Sequence, residues 1–156
     1  MDRMDLAIFV LNSTFEKDNW YPPLKDALEG MTAAQACWKP SGEAVNSIWD
    51  NVNHLIYYKE RLVANLKGQE WTKTLSNDET FNLMEQSSDD EAWDEVVKRA
   101  LNAHYSLREL LTNSSKEELH GYLTEAEVAD FITHEAYHTG QIIQLRKLQG
   151  SWPSHS

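Results

Sequence analysis

Hydrophobic residues recur at helical spacing along most of the chain, and no strand-like alternation persists beyond a few residues. This pattern predicts four long helices over residues 5–19, 47–67, 88–111 and 124–150. Capping-box spacings begin at Thr32, Ser88 and Thr124, each a hydroxyl residue followed three positions later by Glu or Gln. On the first helix we expect the apolar side to comprise Leu6, Phe9, Val10 and Phe15.

Glycine and proline are scarce and lie mainly between these periodic segments. The pair Pro22-Pro23 should end or kink the first helix, and a short helix after Thr32 should stop before Pro40. Residues 69–87 are polar and irregular, which predicts a long crossing loop with a short ordered piece near Trp71 or Phe81. The expected fold is therefore all-α: a four-helix bundle forming one domain over residues 1–156, with this loop between its second and third long helices.

The charge balance and the cysteine content of the chain limit which partners and which cellular compartment are expected. Acidic residues outnumber basic ones by 25 to 14, and the formal net charge of −11 disfavours nucleic acids and anionic membranes as partners. The single cysteine, Cys37, rules out a disulfide within the chain and fits a reducing compartment. With no signal-peptide pattern and no long apolar window, we expect a cytoplasmic protein.

The strongest chemical signal is the pair His134 and His138 on the last predicted helix. Their i, i+4 spacing places both imidazoles on one face, one turn apart, so that one metal ion can reach both. Both also fall on the apolar stripe, where an imidazole needs a hydrogen bond or a metal to offset its burial. The competing interpretation is two core histidines with local hydrogen bonds.

A third ligand has to come from another helix, because zinc enzymes typically use three protein ligands plus water. The sequence offers two candidates: His54 midway along the second long helix and His104 on the inward face of the third. His104 is alternatively a hydrogen-bonding neighbour of a ligand or an ordinary core histidine. Further candidates for hydrogen bonds to the ligands, or for lining a pocket, are Asn51, Tyr58, Tyr137 and Gln141.

The segment from His134 to His138 also matches His-Glu-x-x-His, the zincin motif, in which the glutamate is a general base. Glu135 is therefore a weak catalytic candidate. The alternative is a partly exposed helix glutamate. His120 and His155 are given no role.

Several segments together resemble the DinB/YfiT-like superfamily. They are Asn46-Ser47-Ile48-Trp49, Asn53-His54-Leu55, and the final His134–x–x–x–His138 followed by Gly140-Gln141. The resemblance extends over essentially the whole chain. It implies a four-helix bundle that binds a divalent metal, often zinc or nickel, through the positions of His54, His134 and His138, and frequent homodimers.

Some members of that superfamily are thiol-dependent transferases or isomerases, so the resemblance also implies a low-molecular-weight thiol as a candidate co-substrate. Three neutral imidazoles would leave a metal at least one open position for water or sulfur. Two chemistries on a small-molecule substrate follow: metal-assisted hydrolysis and thiol-dependent transfer. The alternative is a non-catalytic metal-binding or dimerisation module.

Overall fold

A computed structural model describes residues 1–42, 44–115, 117–119 and 124–153 of the chain. His120 and His155 lie outside the described residues. All elements in the described part are helices, which confirms the expected all-α class: α1 (Arg3–Phe15), α2 (Leu24–Leu28), α3 (Ala33–Cys37), α4 (Ile48–Leu66), α5 (Asn77–Thr80), α6 (Asp90–Asn113) and α7 (Thr124–Gln149).

The four long helices α1, α4, α6 and α7 form the bundle. Helix α4 packs against both α6 and α7, and α1 packs against the same two helices. Helices α1 and α4 therefore lie at opposite corners, with α6 and α7 between them. None of the described helices combines the length and the apolar composition that crossing a bilayer requires.

Helix α4 carries the most buried face of the bundle and is the central element of the site. Ser47 caps its N-terminus: its hydroxyl accepts from the Asp50 N–H, while the Asp50 carboxylate accepts from the Ser47 N–H. Trp49 of α4 and Trp93 of α6 pack against each other in the core, with their rings 5.3 Å apart. Both side chains are fully buried, which fixes the rotation of α4 in the bundle.

Helix α1 differs from its predicted form in two respects. It ends at Phe15 rather than near residue 19, and it buries Ala7, Leu11 and Phe15, while Leu6 and Phe9 are each 53% exposed. Because apolar residues occur on most sides of this helix, hydrophobic periodicity does not select one face. The buried face of α1 is therefore determined by its packing against α6 and α7.

The crossing loop contains the short ordered piece that was expected near Phe81. Ser76 and Glu79 form a capping box around α5, and Phe81 is its C-cap. The loop is attached to α4 by Asn53, whose amide donates to the Phe81 and Met84 carbonyls and accepts from the Met84 N–H. These bonds bring α5 against the middle of α4. The cap of α6 is Asp89, one residue later than the spacing from Ser88 predicts.

Candidate metal centre

The structure brings His54 of α4 together with His134 and His138 of α7. The Nε2 atom of His134 lies 2.9 Å from Nε2 of His54 and 3.1 Å from Nε2 of His138. One nitrogen from each ring lies within 4.8 Å of the other two. His54 and His138 are buried, and His134 is half-buried. Three imidazoles from two helices thus converge on one point at the α4–α7 interface.

The tautomer of His54 is fixed by the crossing loop. Its Nδ1 lies 2.6 Å from the Thr80 hydroxyl oxygen, and that hydroxyl donates its own hydrogen to the Asn77 carbonyl. Thr80 must therefore accept, so the proton of the neutral His54 ring resides on Nδ1. Its Nε2 lone pair consequently points at the other two histidines.

The tautomer of His138 is fixed in the same way by Asn51. The Asn51 amide nitrogen donates to the Ser47 carbonyl at 2.8 Å, which orients the side chain. Its Oδ1, which can only accept, then faces Nδ1 of His138 at 2.7 Å. His138 therefore also carries its proton on Nδ1 and presents an Nε2 lone pair to the cluster.

This arrangement suits a metal ion. His134 has one Nε2 and can donate at most one proton there, so it cannot satisfy the lone pairs of both His54 and His138. One divalent ion in the middle would satisfy all three nitrogens. Zn–N bonds of about 2.0–2.1 Å place the ligand nitrogens of one ion about 3–4 Å apart, close to the 2.9 and 3.1 Å that separate His134 Nε2 from its two neighbours. The hydrogen bonds to Thr80 and Asn51 are those that orient histidine ligands in metal proteins.

The electrostatics of the site keep the rings neutral, as metal ligation requires. Burial, reinforced by the neighbouring imidazoles of His138 and His134, lowers the pKa of His54 to about 3. Burial also lowers the pKa of His138 to about 4, aided by His134 and opposed by a hydrogen bond that the imidazole donates to Gln141. Burial lowers the pKa of His134 as well. At neutral pH the Nε2 lone pairs of His54 and His138 therefore carry no proton.

Aromatic rings enclose the cluster on several sides. Phe81 stacks on His54 with ring centroids 4.2 Å apart, and Tyr58 meets the same imidazole edge-on at 4.8 Å. The Tyr58 hydroxyl donates to Asn77 of α5. Tyr137 contacts His138 at 5.2 Å but is 64% exposed. Asn51, Tyr58, Tyr137 and Gln141 thus all lie beside the histidines.

Glu135 is not positioned as a general base for this centre. The expectation of a partly exposed glutamate was wrong: the residue is fully buried, and its Oε1 pairs with Lys59 Nζ at 2.5 Å. The Lys59 ammonium also lies over the rings of Phe15 and Phe131, at 4.4 and 5.1 Å. On α7 the position after His134 faces this separate ion pair, because successive helix residues point about 100° apart.

His104 is not brought to the cluster either. Its ring stacks on Phe15 at 3.9 Å, and its Nε2 lies 3.8 Å from Glu16 Oε1. Burial, followed by the positive charges of Lys59, Arg108 and Lys25, lowers its pKa to about 2. His104 is therefore a neutral core histidine, which excludes the alternative roles as ligand or as neighbour of a ligand.

Three residues of the site region escaped the sequence analysis: Thr80, Phe81 in its stacking role, and Lys59. A signal existed for the first two, because Ser76 and Glu79 have the capping-box spacing that marks α5. No comparable signal marks Lys59, since a lysine on a helix is ordinarily a solvent-exposed residue.

Gly140 lies inside α7 two residues after His138, and a Cβ added there would meet no atom within 4 Å. Close approach of a neighbouring helix therefore does not explain this glycine. It costs helix stability, by about 1 kcal/mol relative to alanine, without a packing reason.

Fold and site together define an all-α bundle with a three-histidine centre fit for a divalent metal. The sequence profile of the DinB superfamily matches residues 23–142, which include all of α4 and the whole histidine cluster. The chain belongs to the DinB superfamily. No curated protein and no solved structure matches it.

Proposed function

We propose that this protein is a divalent-metal-dependent enzyme that binds a small molecule at the three-histidine centre, and that thiol-dependent group transfer is its reaction class. One observation carries the proposal: Thr80 and Asn51 hold the Nδ1 protons of His54 and His138, so that their Nε2 lone pairs converge beside that of His134. A bound zinc or nickel ion would supply positive charge and an open position at which a thiol loses its proton.

Thiol transfer is favoured over hydrolysis by the position of Glu135. Metal-assisted hydrolysis by the zincin scheme needs a glutamate beside the metal-bound water, and Glu135 is instead held in a buried ion pair with Lys59. A thiol needs no such base, because coordination itself favours the thiolate. Cys37 hydrogen-bonds to the Ser87 carbonyl, outside the cluster, so the thiol would come from a separate low-molecular-weight co-substrate.

The surroundings of the centre fit a small organic molecule. The rings of Tyr58, Phe81 and Tyr137 provide apolar contact around the histidines. The net charge of −11 supports a small molecule rather than a nucleic acid as the ligand. A homodimer in the cytoplasm, which the family resemblance and the composition imply, stays part of the proposal.

The test begins with metal content. Wild-type protein purified without added metal should contain close to one equivalent of zinc or nickel by mass spectrometry, and His134→Ala should lose most of it. His104→Phe is the matched control, because it removes a buried imidazole outside the cluster while keeping a ring against Phe15. A well-folded wild-type protein that takes up neither metal would overturn the proposal.

Activity is then measured with a panel of low-molecular-weight thiols and a chromogenic electrophile. We expect thiol-dependent turnover that His134→Ala abolishes and His104→Phe retains. Full metal occupancy without turnover on thiol, ester or amide substrates would favour the alternative, a non-catalytic metal-binding module. Ester or amide hydrolysis without a thiol requirement would contradict the transferase assignment.

A further inference from the structure

A recess opens beside the metal centre, between Pro40 and residues 44–46 on one side and the outer face of α7 on the other. Its volume is about 560 Å³, within the range that small-molecule sites occupy. The described residues that line it come from the segment before α4, from α4 itself and from α7: Pro40, Ala44, Val45, Asn46, Asn51, Tyr137, Gly140, Gln141, Gln144, Leu145 and Leu148.

The recess adjoins the histidine cluster through two shared residues. Asn51 lines the recess and also accepts the hydrogen bond from His138 Nδ1. Gln141 lines it too, and it lies three residues after His138 on the same helix. One side of the recess is therefore a single side chain away from His138, a candidate metal ligand.

The lining indicates which chemistry the recess accepts. The described lining residues include four carboxamides, one phenol and several apolar side chains, but no carboxylate, ammonium, guanidinium or imidazole. Asn51 is already bonded to Ser47 and His138, but the exposed carboxamides of Asn46 and Gln144 can both donate and accept hydrogen bonds, which suits amide or hydroxyl groups. A charged group would find no opposite charge among the described lining residues.

Gly140 contributes no side chain to the recess and so leaves space in it. It lines the recess, and a Cβ at this position would enter open space. The left-handed backbone that favours glycine occurs at four other glycines among the described residues and not at Gly140. We propose that this recess binds an uncharged, amide-bearing part of the small-molecule substrate and that Gly140 keeps it open. This inference rests on the proposed metal centre.

The test uses the full-length protein loaded with Co²⁺, whose visible spectrum reports a coordinated thiolate. Three probes differ only in what they place beyond the sulfur: 2-mercaptoethanol is small, N-acetylcysteinamide carries neutral amides, and N-acetylcysteine carries a carboxylate. We expect wild-type protein to bind N-acetylcysteinamide about tenfold more tightly than N-acetylcysteine, a difference of about 1.4 kcal/mol.

Gly140→Leu then places a larger side chain at the recess, starting from a Cβ that meets no atom within 4 Å, and Gly140→Ala is the matched control with the smallest added group. We expect Gly140→Leu to weaken N-acetylcysteinamide binding about tenfold, while 2-mercaptoethanol and Co²⁺ bind as in the wild type. Gly140→Ala should retain most of the N-acetylcysteinamide affinity. Gln144→Lys, which adds a charge at an exposed lining position, should reverse the preference in favour of N-acetylcysteine.

Two failures are distinguishable. If wild-type protein binds no Co²⁺, the proposed metal centre itself is wrong, and this inference falls with it. If Co²⁺ and 2-mercaptoethanol bind but N-acetylcysteinamide has no advantage, or Gly140→Leu leaves its affinity unchanged, the centre stands and the recess is not the binding site. Equal loss of 2-mercaptoethanol and N-acetylcysteinamide in Gly140→Leu would also overturn the inference, because it would indicate damage to the metal centre.

Discussion

The ion pair between Lys59 and Glu135 makes a quantitative prediction, because its two partners are only 3% and 0% exposed. Lys59→Met keeps the aliphatic length of the side chain but leaves Glu135 without its counter-ion. The folded variant avoids a buried charge by protonating Glu135, whose ordinary pKa is 4.5. At about 1.36 kcal/mol per pH unit, holding that proton at pH 7 costs about 3 kcal/mol.

The reverse variant, Glu135→Gln, leaves the Lys59 ammonium alone. Deprotonating Lys59 from its ordinary pKa of 10.5 costs about 5 kcal/mol at pH 7. The double variant Lys59→Met/Glu135→Leu removes both charges, and we expect it to lie within about 2 kcal/mol of wild type or above it. The single variants are therefore the destabilised ones.

The pH dependence distinguishes the two single variants. Burial raises the pKa of the unpaired Glu135 carboxyl, so folded Lys59→Met binds more protons than the unfolded chain. Its deficit against wild type should shrink as pH falls from 7 to 5. Burial lowers the pKa of the unpaired Lys59 amine, so the deficit of Glu135→Gln should shrink as pH rises from 7 to 9.

Urea unfolding with a chelator present, at pH 5, 7 and 9, measures these differences without a contribution from bound metal. For a chain of this size, a loss of about 3 kcal/mol lowers the melting temperature by roughly 6–12 °C. Single variants that lose less than about 1 kcal/mol at pH 7, or deficits that move with pH in the same direction, would refute the reasoning.

Three further predictions concern the metal centre and its helix. Asn51→Leu and Thr80→Val should each weaken zinc affinity about 10–100-fold, because each removes the side chain that holds the proton on Nδ1 of a ligand histidine. Competition with a chromophoric chelator measures the affinity, and an unchanged value would argue against this role. The metal-free protein should lose stability as pH falls from about 6.5 towards 3. Burial lowers the pKa of His54 to about 3 and that of His138 to about 4, so the unfolded chain binds more protons than the folded protein in this range. A urea midpoint that does not change across this pH window would contradict the prediction. Gly140→Ala should raise stability by about 0.5–1 kcal/mol in thermal unfolding, and a loss would show that the position is strained.

Much of the fold could be predicted from local chemistry. The capping box at Thr32 marks the start of α3 because it satisfies backbone N–H groups that any helix start leaves unpaired. The prolines at 22 and 23 do not end the first helix, which already stops at Phe15; Pro23 is instead the N-cap of α2. Helix α1 shows where this reasoning fails: with apolar residues on most of its sides, only its neighbours in the bundle decide that Leu11 is buried and Phe9 exposed.

The sequence by itself determined that His134 and His138 share a helix face, because an α-helix turns by a fixed angle per residue. It also made His54 a candidate through its place on a second amphipathic helix. Only the tertiary structure decided the rest: His54 rather than His104 joins the pair, Thr80 and Asn51 orient the rings, and Glu135 faces Lys59. These contacts join residues between 26 and 87 positions apart, and the rotation of packed helices that creates them depends on the whole core rather than on any local pattern.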